Sequence, residues 1–477
     1  MLTAKAHVRE RRGVYDAMDT SFVIDVLNLP WFHRTWTVQE LALAKQVVLL
    51  CGSMSLPWLQ FNDTLHTLDM NGNGPPSPSL KLSFSNLLFL ENFTSCYRTL
   101  SALARGPSYG LEISRALKTL RPKLSSDPKD KVYGLYGIFE NIGLPGLPAV
   151  DYNKTVEHIY TEVATAAIKH ERSLAILYEV CLPPLIPGLP SWVPDWSNTN
   201  FFQDDYPSLY DASKQSEPCY YIDGHQLAVS GIVIDLLLEV ANSTSFCSAD
   251  FRRGYNVRTQ LGNQDERHSA VIELIRTLQA WVRVSRQLNS YPTGESPLEA
   301  FLQTIKPMPD PEPRPEYRLS ADFTLRKWIS ILTANFPDNS INLQELQSEV
   351  EILAGYEQIR DNYIGLFGYS TKVEDWPDEL RIRFFLRVDN NAVAEVQQEI
   401  GSRTYHRTFF TTRDGYMGTA PRSAKLGDLV VLIAGLDFPF IVRKNGESYS
   451  LIGPAFIHGV MKGERWDDAQ LEKIVLV

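Results

Sequence analysis

Residues 34–51, RTWTVQELALAKQVVLLC, indicate the type of fold because two kinds of periodicity follow each other there. In the first part, Val38, Leu41 and Ala42 share one face of a predicted helix, with Trp36 nearby. The last part is a short apolar and β-branched run that a glycine closes, which is typical of a buried strand. A helix followed at once by a buried strand indicates an α/β unit.

Further elements are predicted outward from this unit. Apolar residues at helical spacing predict helices at 154–169, 268–288 and 343–367, and two more within 83–120. Residues 226–240 alternate and are strand-like. Beyond 403 the pattern changes to short strands between Gly and Pro turns, which indicates a small all-β module resembling a partly open barrel. Its predicted strands are 404–411, 428–434, 439–442, 449–451 and 455–460.

The length of 477 residues predicts two or three domains, and the overall fold class is α+β. Residues 183–200 carry five prolines and two tryptophans, which predicts an ordered connection rather than a regular helix or strand. Residues 306–315, KPMPDPEPRP, predict an extended linker. The expected boundaries are an α/β unit at 1–60, a helical region at 61–200, a mixed, mostly helical region at 201–400, and the β module at 401–477.

The composition argues against several classes of protein. The formal net charge is −10, so no basic surface for nucleic acid is expected. The five cysteines are far apart and form no C-x-x-C pair, which indicates reduced thiols inside a cell. The first residues lack an apolar stretch, and the longest apolar run, 429–436, is far below the roughly 20 residues of a membrane span. A soluble, cytoplasmic protein is expected.

Four stretches together resemble the fungal heterokaryon-incompatibility (HET) domain family. They occur in the family's usual order along most of the chain. They are PWFHRTWTVQEL at 30–41 with Cys51-Gly52, DPKDKVYGLYG at 127–137 with Val150-Asp151-Tyr152, LPSWVPDWS at 189–197, and Gly427-Asp428 with Pro439-Phe440, Arg443, Gly453, His458-Gly459 and 461–464.

The resemblance also predicts what precedes these stretches. The family's signature domain normally begins with an aromatic-rich strand, a Trp-Gly turn and further strands that this sequence does not contain. The sequence is therefore interpreted as an N-terminally truncated member, with 1–60 as the C-terminal remnant of a TIR-like α/β HET domain.

The resemblance implies one catalytic candidate. HET domains resemble TIR domains, several of which cleave NAD with a single glutamate that lies four residues after a tryptophan. Here Glu40 stands four residues after Trp36, and on a helix this spacing places both side chains on one face. Glu40 would stabilise an oxocarbenium-like ribosyl centre while Trp36 forms an aromatic wall. The alternative is that Trp36 lies in the core and Glu40 pairs locally, which we favour.

Other motifs have structural interpretations that we favour over functional ones. Residues 127–131 are either a charged recognition loop or a turn in which Asp127 caps a helix. Residues 184–190 contain P-x-x-P patterns that suit an SH3-type partner, but a packed connection explains them as well. His458 near Glu464 suggests acid–base chemistry, or simply a strand end. The nine histidines show no metal-ligand spacing, so no metal or cofactor is predicted.

Three functions remain open at this point. The first is a protein of non-self recognition and programmed cell death signalling, regulatory or inactive because its HET domain is incomplete, with protein partners or self-association. The second is an NAD-cleaving enzyme that uses Glu40, in which NAD is the bound molecule. The third is a truncated gene product without activity. Neither nucleic acid nor a membrane is expected as a partner.

Overall fold

The chain folds into two units in its computed structural model. The first unit is Met1–Val150 with Arg258–Leu261, and the second is Asp151–Val257 with Gly262–Val477. The structure describes residues 29–44, 46–51, 54–58, 60–61, 113–141, 146–180, 182–198, 210–241, 277–278, 280–305 and 407–477.

The first unit combines short helices with one hairpin. Its helices are α1 Pro30–His33, α2 Trp36–Leu43, α3 Ile113–Leu120, α4 Asp130–Tyr133 and α5 Tyr136–Asn141, and its strands are β1 Val48–Cys51 and β2 Met54–Pro57. The predicted helix around Trp36 is therefore confirmed as α2. The buried strand predicted after it is wrong. β1 pairs only with β2 in the described part of the chain, and Leu50 is 78% exposed.

In the second unit, helix α6 (Val156–Glu171) confirms the helix predicted at 154–169. Ile159, Val163 and Ala167 are buried along one face, as their spacing predicts. Acidic Glu157 lies in the first turn and Lys169 in the last, which suits the helix dipole. A 3₁₀ helix follows at Ala175–Glu179.

Two helical segments further along the chain pack on the sheet of the second unit. Residues 280–285 are helical, and α7 spans Pro297–Ile305. Trp281 stacks on Phe409 of the sheet with ring centroids 5.6 Å apart, and Phe301 meets the same ring edge-on at 5.3 Å. These aromatic contacts bury the apolar faces of both segments.

Among the described residues, the sheet of the second unit contains nine strands. They are β3 Tyr220–Asp223, β4 Gln226–Val240, β5 Arg407–Thr412, β6 Met417–Pro421, β7 Leu429–Ile433, β8 Phe440–Asn445, β9 Ser448–Pro454, β10 Phe456–Ile457 and β11 Glu472–Leu476. The strand predicted at 226–240 is confirmed as β4.

Five of these strands close into a ring. β4 pairs with β7, β7 with β8, β8 with β9, β9 with β11, and β11 returns to β4. All the pairings are antiparallel except the short parallel one between β9 and β11. Closure leaves no free edge within the ring, which is the defining property of a small barrel.

Strand β4 belongs to two parts of the sheet. Its first half pairs with β3 and β11, its middle with β7, and residues 237–240 with β5. The register shifts between Val233 and Asp235 and again between Leu237 and Glu239. Such bulges bend a strand and increase its twist, so one strand can leave the ring and join the branch of β5, β6 and β10.

The core of the ring is apolar. Ile232 of β4, Leu432 of β7 and Ile441 of β8 are almost completely buried in one cluster with Trp466. The sheet extends beyond the β module predicted at 401–477, because β3 and β4 come from much earlier in the chain.

The fold class predicted from sequence is confirmed as α+β with a C-terminal β-sheet region. The TIR-like nature of the first unit and the four domain boundaries stay predictions. Several other predictions fall wholly or partly outside the described residues. These are most of the two helices within 83–120, the start of the helix at 268–288, the linker at 306–315 and the helix at 343–367.

Candidate functional site

The predicted catalytic pair lies on α2. Glu40 is exposed, and its Oε2 accepts a hydrogen bond from Trp31 Nε1 at 3.2 Å. Trp36 is half-buried one turn earlier on the same helix. The carboxylate is thus hydrogen-bonded to Trp31, a residue of the same sequence motif. The catalytic role of Glu40 and Trp36 stays a prediction.

The first two family-like stretches meet in the first unit. The Gln39 Oε1 atom of α2 accepts a hydrogen bond from the Gly137 backbone N–H of α5 at 3.2 Å. A Cβ atom at Gly134 would lie 2.9 Å from Thr35 Cγ2 and 2.8 Å from the Asp130 carbonyl oxygen. The glycines of DPKDKVYGLYG therefore permit close packing against RTWTVQEL.

Buried lysines join the same two stretches. The Lys123 ammonium donates to the Phe32 carbonyl at 2.6 Å, and the Lys131 ammonium donates to the carbonyls of Arg121, at 2.9 Å, and Lys123. Burial, and then the positive charge of Lys123, lower the pKa of His33. These ammonium groups donate to main-chain carbonyls and so connect the two stretches.

Asp127 supports the structural interpretation of its loop. Its carboxylate accepts a hydrogen bond from the Lys129 N–H at 2.9 Å, which stabilises the turn before α4. Val132, Leu135 and Tyr136 are buried, as the capping interpretation predicts. The helix itself begins at Asp130, two residues later than predicted.

In the third stretch, LPSWVPDWS, the buried Asp195 carboxylate organises a proline-rich loop. One oxygen accepts hydrogen bonds from the N–H groups of Leu185 and Ile186 at 2.6 and 3.2 Å. The other accepts from the backbone and hydroxyl of Ser197. Trp196 packs edge-on against Tyr160 of α6 at 5.0 Å. The segment is an ordered, aromatic-anchored connection, as its composition predicts.

The P-x-x-P pattern of this segment does not form a continuous extended ligand. The Leu189 N–H donates to the Ile186 carbonyl at 3.4 Å, and Gly188 between them has φ +78°. This arrangement is a β-turn, whereas SH3-type domains bind an extended polyproline helix.

The fourth stretch contains a partly buried ion pair. Asp428 accepts hydrogen bonds from Arg443 Nε and Nη2, both at 2.8 Å, and from the Lys425 N–H at 2.8 Å. Arg443 also donates to the Ser423 carbonyl. The hydrogen bond with Asp428 raises the pKa of the Arg443 guanidinium. The pair connects the start of β7 to β8, so its role is to hold the barrel together.

The third and fourth stretches are joined by Ser191. Its hydroxyl donates to the Val477 carbonyl and accepts from the Leu451 N–H of β9 at 2.8 Å. The Ser191 N–H donates to the same Val477 oxygen at 3.0 Å. The proline-rich connection and the barrel therefore form one hydrogen-bonded assembly.

His458 has a different partner from the one its sequence neighbourhood suggests. Its Nε2 lies 2.5 Å from Glu295 Oε1, whereas Glu464 accepts a hydrogen bond from the Lys462 N–H. The Tyr291 hydroxyl donates to the His458 carbonyl at 2.7 Å. No sequence signal joins residues so far apart, so Glu295 and Tyr291 were missed.

Within the described ranges, no group of three or more His, Cys, Asp or Glu side chains is arranged to hold a metal ion. In the same ranges, no helix has the length and apolarity needed to cross a bilayer.

Comparison with known proteins shows what the chain is similar to. Residues 337–477 match the family described as the Het-6 beta-barrel domain, and this range includes seven of the nine strands of the sheet. The chain is also similar to heterokaryon incompatibility protein 6, OR allele, of Neurospora crassa. The two are 23% identical over 494 residues, which cover 94% of this chain and 66% of that protein. These matches confirm the predicted resemblance to the heterokaryon-incompatibility family.

The chain thus spans slightly less than two thirds of the length of this curated relative. No solved structure matches the chain significantly.

Proposed function

We propose that this protein acts in fungal vegetative incompatibility, as a regulatory component of cytoplasmic non-self recognition that leads to programmed cell death. The observation that carries the proposal is the similarity to the Neurospora crassa incompatibility protein, which extends over 94% of the chain. The match of residues 337–477 to the Het-6 beta-barrel domain family supports the same proposal.

The geometry of the family-like stretches supports recognition over chemistry. Asp195, Asp428 and Ser191 direct their polar atoms to partners within the chain. Such residues preserve the shape of a surface, because each one fixes a loop or a strand that would otherwise move. A rigid surface of this kind suits the binding of a protein partner or of a second copy.

The test is expression of the chain in Neurospora crassa, in a strain with the OR-allele relative and in one from which that relative is deleted. Growth rate and hyphal cell death after fusion are measured in both. We expect normal growth when the relative is absent, and an altered incompatibility response when it is present. Equal growth and equal cell death in both strains would overturn the proposal.

Two variants sharpen this experiment. Asp428→Asn weakens the barrel and should reduce the altered response, whereas Glu40→Gln should leave it unchanged. Growth arrest in both strains that Glu40→Gln abolishes would instead favour NAD cleavage by Glu40. In that case, loss of cellular NAD would accompany the arrest.

A further inference from the structure

The loop 291–296, which leads into α7, presents polar groups at the surface of the second unit. Its two ends are fixed, because Tyr291 is buried before the loop and Phe301 of α7 is buried after it. Between them, residues 292–294 and Ser296 are exposed. An exposed loop held at both ends is a segment that a second protein can reach without unfolding the molecule.

Ser296 is the residue at which the hydrogen bonds of α7 begin. Its hydroxyl oxygen accepts from the Glu299 N–H at 3.2 Å, and its carbonyl oxygen accepts from the Ala300 N–H at 3.0 Å. Pro297 is the first residue of the helix, where its fixed φ suits a helix and its missing N–H is not needed. Ser296 is therefore the N-cap of α7, with its hydroxyl at the protein surface.

Ser296 and Pro297 also form the pattern that proline-directed protein kinases require. These enzymes phosphorylate a serine or threonine hydroxyl that is followed directly by proline. The sequence contains one other Ser-Pro pair, at 77–78 and outside the described residues, and no Thr-Pro pair. Because Pro297 lies in the first turn of α7 and helix ends fray, the pair can extend into a kinase active site while the rest of the helix stays folded.

Thr293 lies on the same loop and provides a contrast with Ser296. It is exposed as well, but its hydroxyl donates to Glu295 Oε1 at 2.7 Å, and the next residue is Gly294. A kinase that requires a following proline therefore distinguishes between these two hydroxyl groups.

We propose that Ser296 is phosphorylated by an ATP-dependent, proline-directed protein kinase and that the phosphate strengthens the N-terminal cap of α7. In the transfer, the Ser296 oxygen forms a bond to the γ-phosphorus of ATP, and the bond from that phosphorus to the bridging oxygen breaks. ADP leaves, and the hydroxyl proton passes to the catalytic aspartate of the kinase. The chain gains a charge of about −1.5 to −2 and three acceptor oxygens.

The charge of the phosphate suits its position at the start of α7. The first N–H groups of a helix lack helical partners and carry a partial positive charge, so an anion at the N-cap is stabilised. Two neighbouring carboxylates oppose this effect. They already accept hydrogen bonds, Glu299 from Gln303 Nε2 at 3.2 Å and Glu295 from Thr293. Their repulsion acts through solvent and is screened, whereas the phosphate oxygens bond directly to the free N–H groups, so the first turn of α7 becomes more stable.

The test is phosphopeptide mapping of the full-length chain after treatment with a purified proline-directed protein kinase and Mg-ATP. A Ser77→Ala background removes the other Ser-Pro serine, and a synthetic peptide of residues 289–303 shows whether the kinase accepts the sequence. We expect the phosphate on Ser296. Pro297→Ala keeps the hydroxyl and a good helix former, but it should slow phosphorylation at least about tenfold. Thr293→Ala should leave the rate unchanged.

Hydrogen exchange at constant pH measures the effect of the phosphate on α7. The Glu299 and Ala300 amides should exchange about two- to fivefold more slowly in the phosphorylated chain than in the unmodified one. Ser296→Ala should make them exchange faster, because it removes the cap. Absence of phosphate from Ser296 of the treated chain would overturn the proposal, and the peptide then shows whether the fold or the sequence prevents the reaction. Equal or faster exchange of these amides after phosphorylation would overturn it as well.

Discussion

The Asp428 carboxylate is almost completely buried at the start of β7, and Arg443 is its charged partner. Asp428→Asn retains the shape of the side chain but removes its charge and one hydrogen-bond acceptor. We expect the free energy of unfolding of the second unit to fall by about 2–3 kcal/mol, since a guanidinium loses its counter-ion. Urea denaturation followed by circular dichroism measures the change.

A surface ion pair provides the control for this substitution. Asp414 faces Arg465 at 3.1 Å but is 36% exposed, so Asp414→Asn should cost less than about 1 kcal/mol. Equal losses in the two variants would contradict a special role for Asp428.

The carboxyl group of Asp437 should make the thermal stability depend on pH in a definite direction. Burial, and then the negative charge of Asp211, raise the pKa of its carboxyl group. Because its pKa is raised in the folded state, the protonated carboxyl group stabilises the fold. This contribution to the free energy of unfolding is fully present below the unfolded-state pKa, and it is lost as the pH rises through the folded-state pKa. Asp437→Asn should therefore raise the thermal midpoint at pH 7, and the gain should shrink towards pH 4.

An exposed aspartate provides the control for the thermal midpoint of Asp437→Asn. Asp223 lies exposed at the turn between β3 and β4, and Asp223→Asn should change the thermal midpoint at pH 7 much less than Asp437→Asn does. A lower midpoint for Asp437→Asn at pH 7 would show that the charged carboxylate stabilises the fold, contrary to this account.

At the scale of secondary-structure elements, the close approach of α2 to the turn after α4 depends on Gly134. A Cβ atom there would overlap the Asp130 carbonyl and the Thr35 methyl group. Gly134→Ala should thus destabilise the first unit by about 1–3 kcal/mol, as measured by chemical denaturation.

Gly137→Ala is the matched variant on the next helix. The three atoms nearest to its added methyl group belong to the end of the flexible Gln39 side chain, and alanine is the better helix former. The loss should accordingly be smaller than at Gly134. A larger loss at Gly137 would show that the Gln39 hydrogen bond, and not backbone proximity, joins the two stretches.

Elements with a strong local pattern were predicted well from sequence. Helix α6 has a clear apolar face, and the residues of β4 alternate as in a strand, so both agree with their predicted bounds within two residues. β1 was wrongly predicted as buried, because a short apolar run does not reveal how many neighbours a strand has.

Contacts that depend on the tertiary fold could not be predicted from sequence patterns. Asp428 and Arg443 lie only fifteen residues apart and both belong to a family-like stretch, but their pairing follows from the register of β7 and β8. Glu295 and His458 meet only because the loop before α7 returns to the end of β10, in the branch of β5, β6 and β10. Periodicity and local motifs carry no information on such a return.

At the scale of the whole molecule, the second unit joins segments that are far apart in the sequence. β4 precedes β5 by more than 160 residues, yet it pairs with β5, β7 and β11. Without β4 the ring of five strands cannot close, so the C-terminal strands depend on residues 226–240 for their core and for their backbone hydrogen bonds.

The most direct test of this closure is a disulfide between β4 and β11. Ser230 lies opposite Lys473, and the backbone groups of Ser230 bond to Cys219 and Ala434 on the other side of the strand. The Ser230–Lys473 pair is thus a non-hydrogen-bonded one, whose Cα atoms lie roughly 4.5 Å apart, within disulfide range.

The measurement is non-reducing peptide mapping of the Ser230→Cys, Lys473→Cys double variant in a Cys219→Ser background. Closure by β4 predicts a disulfide that links the peptides containing residues 230 and 473. The control that pairs Ser230→Cys with Glu472→Cys should stay reduced, because adjacent residues of a strand face opposite sides. Efficient cross-linking of the control, with none at Lys473, would contradict the register and the closed barrel.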